Sequence, residues 1–229
     1  MEPSAQSPTL AILGGNPDGL TAFSVAVRTA QGIFERTAPV KARVDLAELV
    51  RLALHDAAIA PTDIRQVRVD QGPGSYIGLR VAVTFARCFA AFAAGACELL
   101  AADSLAAAAT AAIAADPAIA GKRIAIAIDG RQGRVQFARF RSIDGATLAT
   151  EAKPQLLLDA DAIAGLAHAD VAFADPAALQ RLAQASPLHA LRAIPAVSAT
   201  ALLDPRMPLY AASLHELEPL YLTGSYVGG

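Results

Sequence analysis

The stretch D-Q-G-P-G-S-Y-I-G-L-R-V-A-V-T-F-A-R-C-F-A-A-F-A-A-G, residues 70–95, sets a turn dense in glycine and proline in front of a long, almost wholly apolar helix. Gly72, Gly74 and Gly78 permit positive φ or close backbone approach, Pro73 stiffens the turn, and Ser75 is placed to cap the helix. Such a loop, running from a strand end into a helix N-terminus, serves either as a tight structural turn or as an anion cradle at the positive end of the helix dipole. It carries neither G-x-x-x-x-G-K-[ST] nor the dinucleotide spacing. In the helix, Leu79, Ala82, Val83, Ala86, Phe89 and Ala90 form one apolar stripe, and Val81, Phe85, Cys88 and Phe92 form a second. The polar residues Arg80, Thr84 and Arg87 are left a single narrow line. A helix covering one sheet face keeps a broad polar back, so this one is expected to be buried on two sides: by its own sheet, and by a neighbouring helix or a second subunit.

Outward from this stretch the chain reads as alternating α and β. Residues 9–15 (T-L-A-I-L-G-G), 21–30 and G-I-F-E-R-T predict an antiparallel meander. Residues 44–59 predict a helix capped by Asp45 with Glu48 as the reciprocal partner, its face made by Leu46, Leu49, Val50, Ala53 and Ala57. Q-V-R-V-D (66–70) and C-E-L-L-A-A (97–102) flank the quoted helix as strands, and Asp103 or Ser104 caps a third helix. The second half opens alike: a hairpin from R-I-A-I-A-I-D (123–129) and R-V-Q-F-A-R-F-R (134–141), a third strand including T-L-A-T, then helix 159–168, strand 171–175 and helix 176–185 with Pro176 in its first turn. A meander followed by alternating α and β, occurring twice, predicts two related α/β lobes divided at 1–103 and 104–229.

The 229 residues carry a formal charge of -2, which gives no global pull toward nucleic acid or anionic membrane, so any RNA contact has to be local. The opening M-E-P-S-A-Q-S-P is no secretory leader, and the alanine-rich run 105–115 is too short to span a bilayer, so a cytoplasmic protein is expected. Cys88 and Cys97 read as small apolar side chains in a reducing compartment. His55, His168, His189 and His215 lack metal-ligand spacing, so no metal site is expected.

The run G-P-G-S-Y-I-G-L-R-V-A-V-T-F-A-R resembles the G-P-G-S-[FY]-T-G-L-R-[IV]-G-x-x-x-A-[KR]-G motif of the TsaB (YeaZ) family, within the actin-like, sugar-kinase-like ATPase superfamily. The opening meander, I-D-G-R-Q-G-R-V-Q-F-A-R-F and the closing E-P-L-Y-L are similar to it as well. The resemblance implies an α/β fold of two tandem actin-like (RNase H-like) lobes, each with a mixed five-stranded-type sheet. It also implies a non-catalytic scaffold for a homologous catalytic subunit, TsaD. With the ATPase TsaE these form N6-threonylcarbamoyladenosine at position 37 of tRNA. Partners so implied are a TsaD-type subunit, a TsaE-type ATPase, tRNA indirectly, and a second copy of the chain in a homodimer. No cofactor is expected to bind tightly, with ATP or ADP at the partner interface left open. The family's interfaces use the first two helices, matching here Leu49, Ala53, Leu79, Arg80, Val83, Phe85, Arg87 and Phe92.

The chain departs from that pattern where family members carry I-D-T-S (here I-L-G-G-N-P-D-G) and H-S-x-x-L-x-P (here V-D-L-A-E-L-V), and at Ile77 and Cys88 in place of threonine and glycine. A divergent paralogue with residual nucleotide binding or small-molecule kinase activity is the alternative; it needs a carboxylate for Mg²⁺ and a base, for which Asp129 and Asp70 are the candidates. Their other reading is turn capping. A peptidase reading fails at Ser75, which lies outside G-x-S-x-G. Arg131, Arg134, Arg139 and Arg141 read either as a phosphate-binding stripe or as solvated strand residues.

Overall fold

The computed structural model describes residues 7–40, 42, 45–93, 97–143, 147–185 and 191–222. Strand β1 (Thr9–Leu13), wholly buried, is antiparallel to β2 (Thr21–Thr29), and β2 turns back into β3 (Gly32–Pro39). Helix α1 (Leu46–Asp56) follows, capped by the Asp45 carboxylate on the Ala47 amide at 2.9 Å. The expected reciprocal Glu48 is instead held by Arg51, one turn on, because a guanidinium offers a bidentate partner on the exposed face. β4 (Gln66–Asp70), α2 (Tyr76–Phe92) and β5 (Glu98–Ala102) form a parallel crossover, β4 also running parallel to β1.

The pattern recurs in β6 (Arg123–Asp129), β7 (Arg134–Ser142) and β8 (Leu148–Leu158), then α4 (Asp159–Ala167), β9 (Val171–Ala174), α5 (Pro176–Ala185) and β10 (Leu191–Ala193). β6 is antiparallel to β7 and parallel to β9, as β1 is to β2 and β4. The second sheet has the order β10-β9-β6-β7-β8. The first has β5-β4-β1-β2-β3, extended to six strands by β11 (Leu209–Ala211) against β5.

Between the sheets lies α3 (Ser104–Ala115), capped by Asp103. Its alanines face a sheet on either side: Ala106 to Ala109 have no exposed surface, and they share one core with Leu13 of β1, Ile124 and Ile126 of β6 and Phe140 of β7. A helix apolar all round is a buried helix, and small side chains let both sheets approach it. Two further cores lie outside the sheets, under α1 and α2 in the first lobe and under α4 and α5 in the second.

The chain downstream of β10 returns to the first lobe, although it lies beyond the division expected at 103/104. The 3-10 helix Ala199–Leu203 packs on β1 and β2, and beyond β11 the Ala212 amide donates to Leu99. The Arg87 guanidinium donates to the carbonyls of Leu214 and Leu217, and the Leu220 amide to the carbonyl of Gln71 at 2.6 Å. No helix among the described residues is long and apolar enough to cross a membrane.

Candidate functional site

The glycine turn is a packed junction. The Ser75 amide donates to the Gly15 carbonyl (2.8 Å), the Ser75 hydroxyl accepts from the Gly78 amide (3.2 Å), and the Gly72 carbonyl accepts from the Ser104 amide (2.9 Å). A Cβ on Gly74 would run into the carbonyl of Gly15, and one on Gly78 into that of Gly14. Gly72 sits at φ +117 with the Leu220 carbonyl against it, and Pro73 follows it, buried, through a cis peptide bond. The motif therefore holds the N-terminus of α2 against the end of β1, with three turn amides (Ser75, Gly78 and Leu79) already engaged.

The carboxylates with catalytic potential are tied to the backbone or to arginine. Asp70, fully buried, accepts from the amides of Gly14 (2.7 Å) and Gly15 (2.8 Å) and from the Ser104 hydroxyl (2.7 Å). Burial pushes its carboxyl up, against the pull of those donors. Asp18, in the first hairpin, accepts from the amides of Leu20, Thr21 and Val197 and from the Thr21 hydroxyl. Asp129 is paired with Arg181 at 2.6 Å, and the same guanidinium reaches Asp159 at 2.8 Å. Asp175 accepts from the amides of Asp129 and Ala178, both at 3.0 Å. Among the described residues no group of three or more His, Cys, Asp or Glu side chains converges as a metal site.

The two stripes of α2 meet different surroundings. Ala82, Val83 and Ala86 are buried under the first sheet together with Leu49 and Ala53 of α1, and Leu79 is buried against the glycine turn at Gly72. Leu49, Ala53, Leu79 and Val83, expected at a partner interface, are thus buried within the lobe, because α1 packs on β2 and β3 and α2 on β1 and β4. The second stripe is open. Phe92 is 87% exposed, Val81 and Cys88 are exposed, and Phe85 is half-buried. Phe85 stacks with Phe89 (centroids 6.1 Å), and with Cys88, Phe92, Pro61 and Thr62 they line an apolar groove of about 240 Å³. Arg80 is exposed, whereas Arg87 is turned into its bonds with the returning chain. Both cysteines are free thiols.

Of the four arginines on the second hairpin, Arg131 and Arg134 reach a cleft of about 830 Å³ between the lobes, Arg139 pairs with Glu151, and Arg141 lies opposite Arg123 on β6. A bulge near Phe137 and Arg139 interrupts the alternation, so they form no single stripe. The cleft joins this hairpin to the first hairpin (Gly15, Asn16) and to the glycine turn, and Tyr76 and Tyr221 stack at its edge (centroids 4.6 Å). The closing E-P-L-Y-L pointed to Tyr221; Asn16 and Gln136, also in the cleft, carried no sequence signal.

A family model for TsaD, tRNA N6-adenosine threonylcarbamoyltransferase, matches residues 23–201. The chain belongs to this family. Two solved structures from Pseudomonas aeruginosa share its fold, each with a TM-score of 0.76 over 95% of this chain and 100% of the other. One is YeaZ, 21% identical; the other, 23% identical, is an uncharacterized protein described as similar to the peptidase YeaZ. The fold is that of YeaZ, two actin-like lobes, as the resemblance to the TsaB (YeaZ) family implied. No curated protein sequence matches it.

Proposed function

We propose that this chain is a non-catalytic scaffold subunit of a tRNA N6-threonylcarbamoyladenosine synthase, docking on a TsaD-type catalytic subunit through the second stripe of α2. The observation that carries the reading is the open groove at Phe85, Cys88, Phe92 and the half-buried Phe89, on a helix whose inner residues Leu79, Ala82, Val83 and Ala86 are already buried. Membership of the catalytic subunit's own family supports the choice of partner. An interface of about 800 Å² per partner takes roughly 20 to 30 residues, within reach of α1, α2 and their loops.

Catalysis by this chain alone is disfavoured by the fate of its carboxylates. A Mg²⁺-dependent kinase needs carboxylate oxygens free for the metal, whereas Asp18 and Asp70 hold structural donors on both oxygens and Asp129 is charge-paired with Arg181 through Oδ1. Ser75 caps α2, its oxygen accepting from the Gly78 amide, and it lies outside G-x-S-x-G, which weighs against a peptidase nucleophile. A TsaE-type ATPase completes the assembly, and a homodimer through the same stripe is the resting form when the catalytic subunit is absent. Light scattering behind size exclusion tests the reading. The mixture with the TsaD-type subunit is expected to run as a 1:1 complex, and two separate species would overturn it.

A further inference from the structure

The cleft between the lobes is lined by two arginines that no described carboxylate neutralises. Arg131 is exposed at the turn and Arg134 half-buried beside it, and neither side chain is engaged in a hydrogen bond or ion pair. The two lining carboxylates each hold structural donors on Oδ1, Asp129 the Arg181 guanidinium and the buried Asp175 two amides. Deeper in, the amide oxygens of Asn16 and Gln136 are buried without a hydrogen-bond partner. At the rim, Tyr76 keeps 58% of its surface exposed while stacking on Tyr221. An aromatic platform, free guanidiniums and unsatisfied amides are the chemistry that takes a nucleotide: base on the ring, sugar and base edge on the amides, phosphate on the arginines.

We infer that this cleft holds an unpaired nucleotide of single-stranded RNA directly, without a metal ion. The choice against a Mg²⁺-bound triphosphate follows from the carboxylates: Mg²⁺ is ordinarily held through one or two of them, and here Asp129 is already charge-paired with Arg181 while Asp175 holds two backbone amides on its Oδ1. A phosphodiester brings one charge per nucleotide, which two guanidiniums meet unaided. The inference rests on the reading of the chain as part of a tRNA-modifying assembly and goes beyond it, since a scaffold alone need not touch RNA.

The test is fluorescence anisotropy of a labelled single-stranded oligoribonucleotide with the full chain, in EDTA and in Mg²⁺, with duplex RNA and ATP as competitors. Binding is expected to survive EDTA and to be displaced by neither competitor. Tyr76→Ala is expected to weaken it roughly 5- to 150-fold, the range for loss of one stacked base. The double variant Arg131→Gln/Arg134→Gln is expected to reduce the salt slope by about 1.4, two phosphate contacts on a single strand. No binding, binding unchanged in both variants, or preferential EDTA-sensitive binding of ATP would overturn the inference. Complex formation with the TsaD-type subunit, measured on the same preparations, separates the two claims. An intact complex with no RNA binding overturns only the inference, and loss of the complex in the unmodified chain overturns the scaffold.

Discussion

Gly74 and Gly78 lack a Cβ because the carbonyls of Gly15 and Gly14 occupy the space it would need. Backbone cannot rotate aside as a flexible side chain can, so Gly78→Ala is expected to cost about 1–3 kcal/mol or more, read as a lowered urea midpoint at unchanged slope. Asp103, the cap of α3, shows a different residue-level effect. Burial, with Asp70 nearby, pushes its carboxyl up to about 7, against the amides of Leu105 and Ala106 that pull it down. The folded chain therefore holds this proton more tightly than the unfolded chain, whose carboxyl titrates at 3.8. The stability it contributes is complete below 3.8 and is lost as pH rises through about 7. Urea midpoints measured across that window are expected to fall with rising pH, and Asp103→Asn to flatten the fall. Asp70 is shifted in the same direction and leaves a residual slope.

α2 ties the fold to the proposed docking. Its inner stripe is fixed by the sheet, and its outer stripe ends at Phe92, whose side chain touches little of its own chain. Phe92→Glu is thus expected to leave the urea midpoint within about 0.5 kcal/mol of the unsubstituted chain, as surface changes do. The same change is expected to weaken binding of the TsaD-type subunit by roughly 30-fold or more, measured by calorimetry. Phe85→Glu is expected to lose stability as well, because that ring packs partly on the first-lobe core. Much of this element was legible: spacings of three and four separated the two stripes, and glycine density marked the turn. The buried status of Leu49 and Ala53 was not, because helical periodicity gives a face its polarity without saying which neighbour covers it. Nor was the role of Asp70, whose partners Gly14 and Ser104 lie 56 and 34 positions away.

Across the whole molecule the two lobes share α3, a helix of alanines closed in by both sheets. Ala108→Leu is expected to overpack this layer and cost about 1–3 kcal/mol. Thermal unfolding is expected to remain a single transition by near- and far-ultraviolet circular dichroism, since neither lobe has a complete core without the helix. The repeat of meander and crossover was readable from hydrophobic patterning. The return of the chain to add β11 was not, because three residues carry no usable period. The measurement that tests the central claim most directly is tRNA threonylcarbamoylation reconstituted from the catalytic subunit and its ATPase, with and without this chain and with Phe92→Glu. The scaffold account predicts no product from the chain alone, product when the unmodified chain is added to the catalytic subunit, and little with the variant. Equal product with and without the chain, or turnover by the chain by itself, would contradict it.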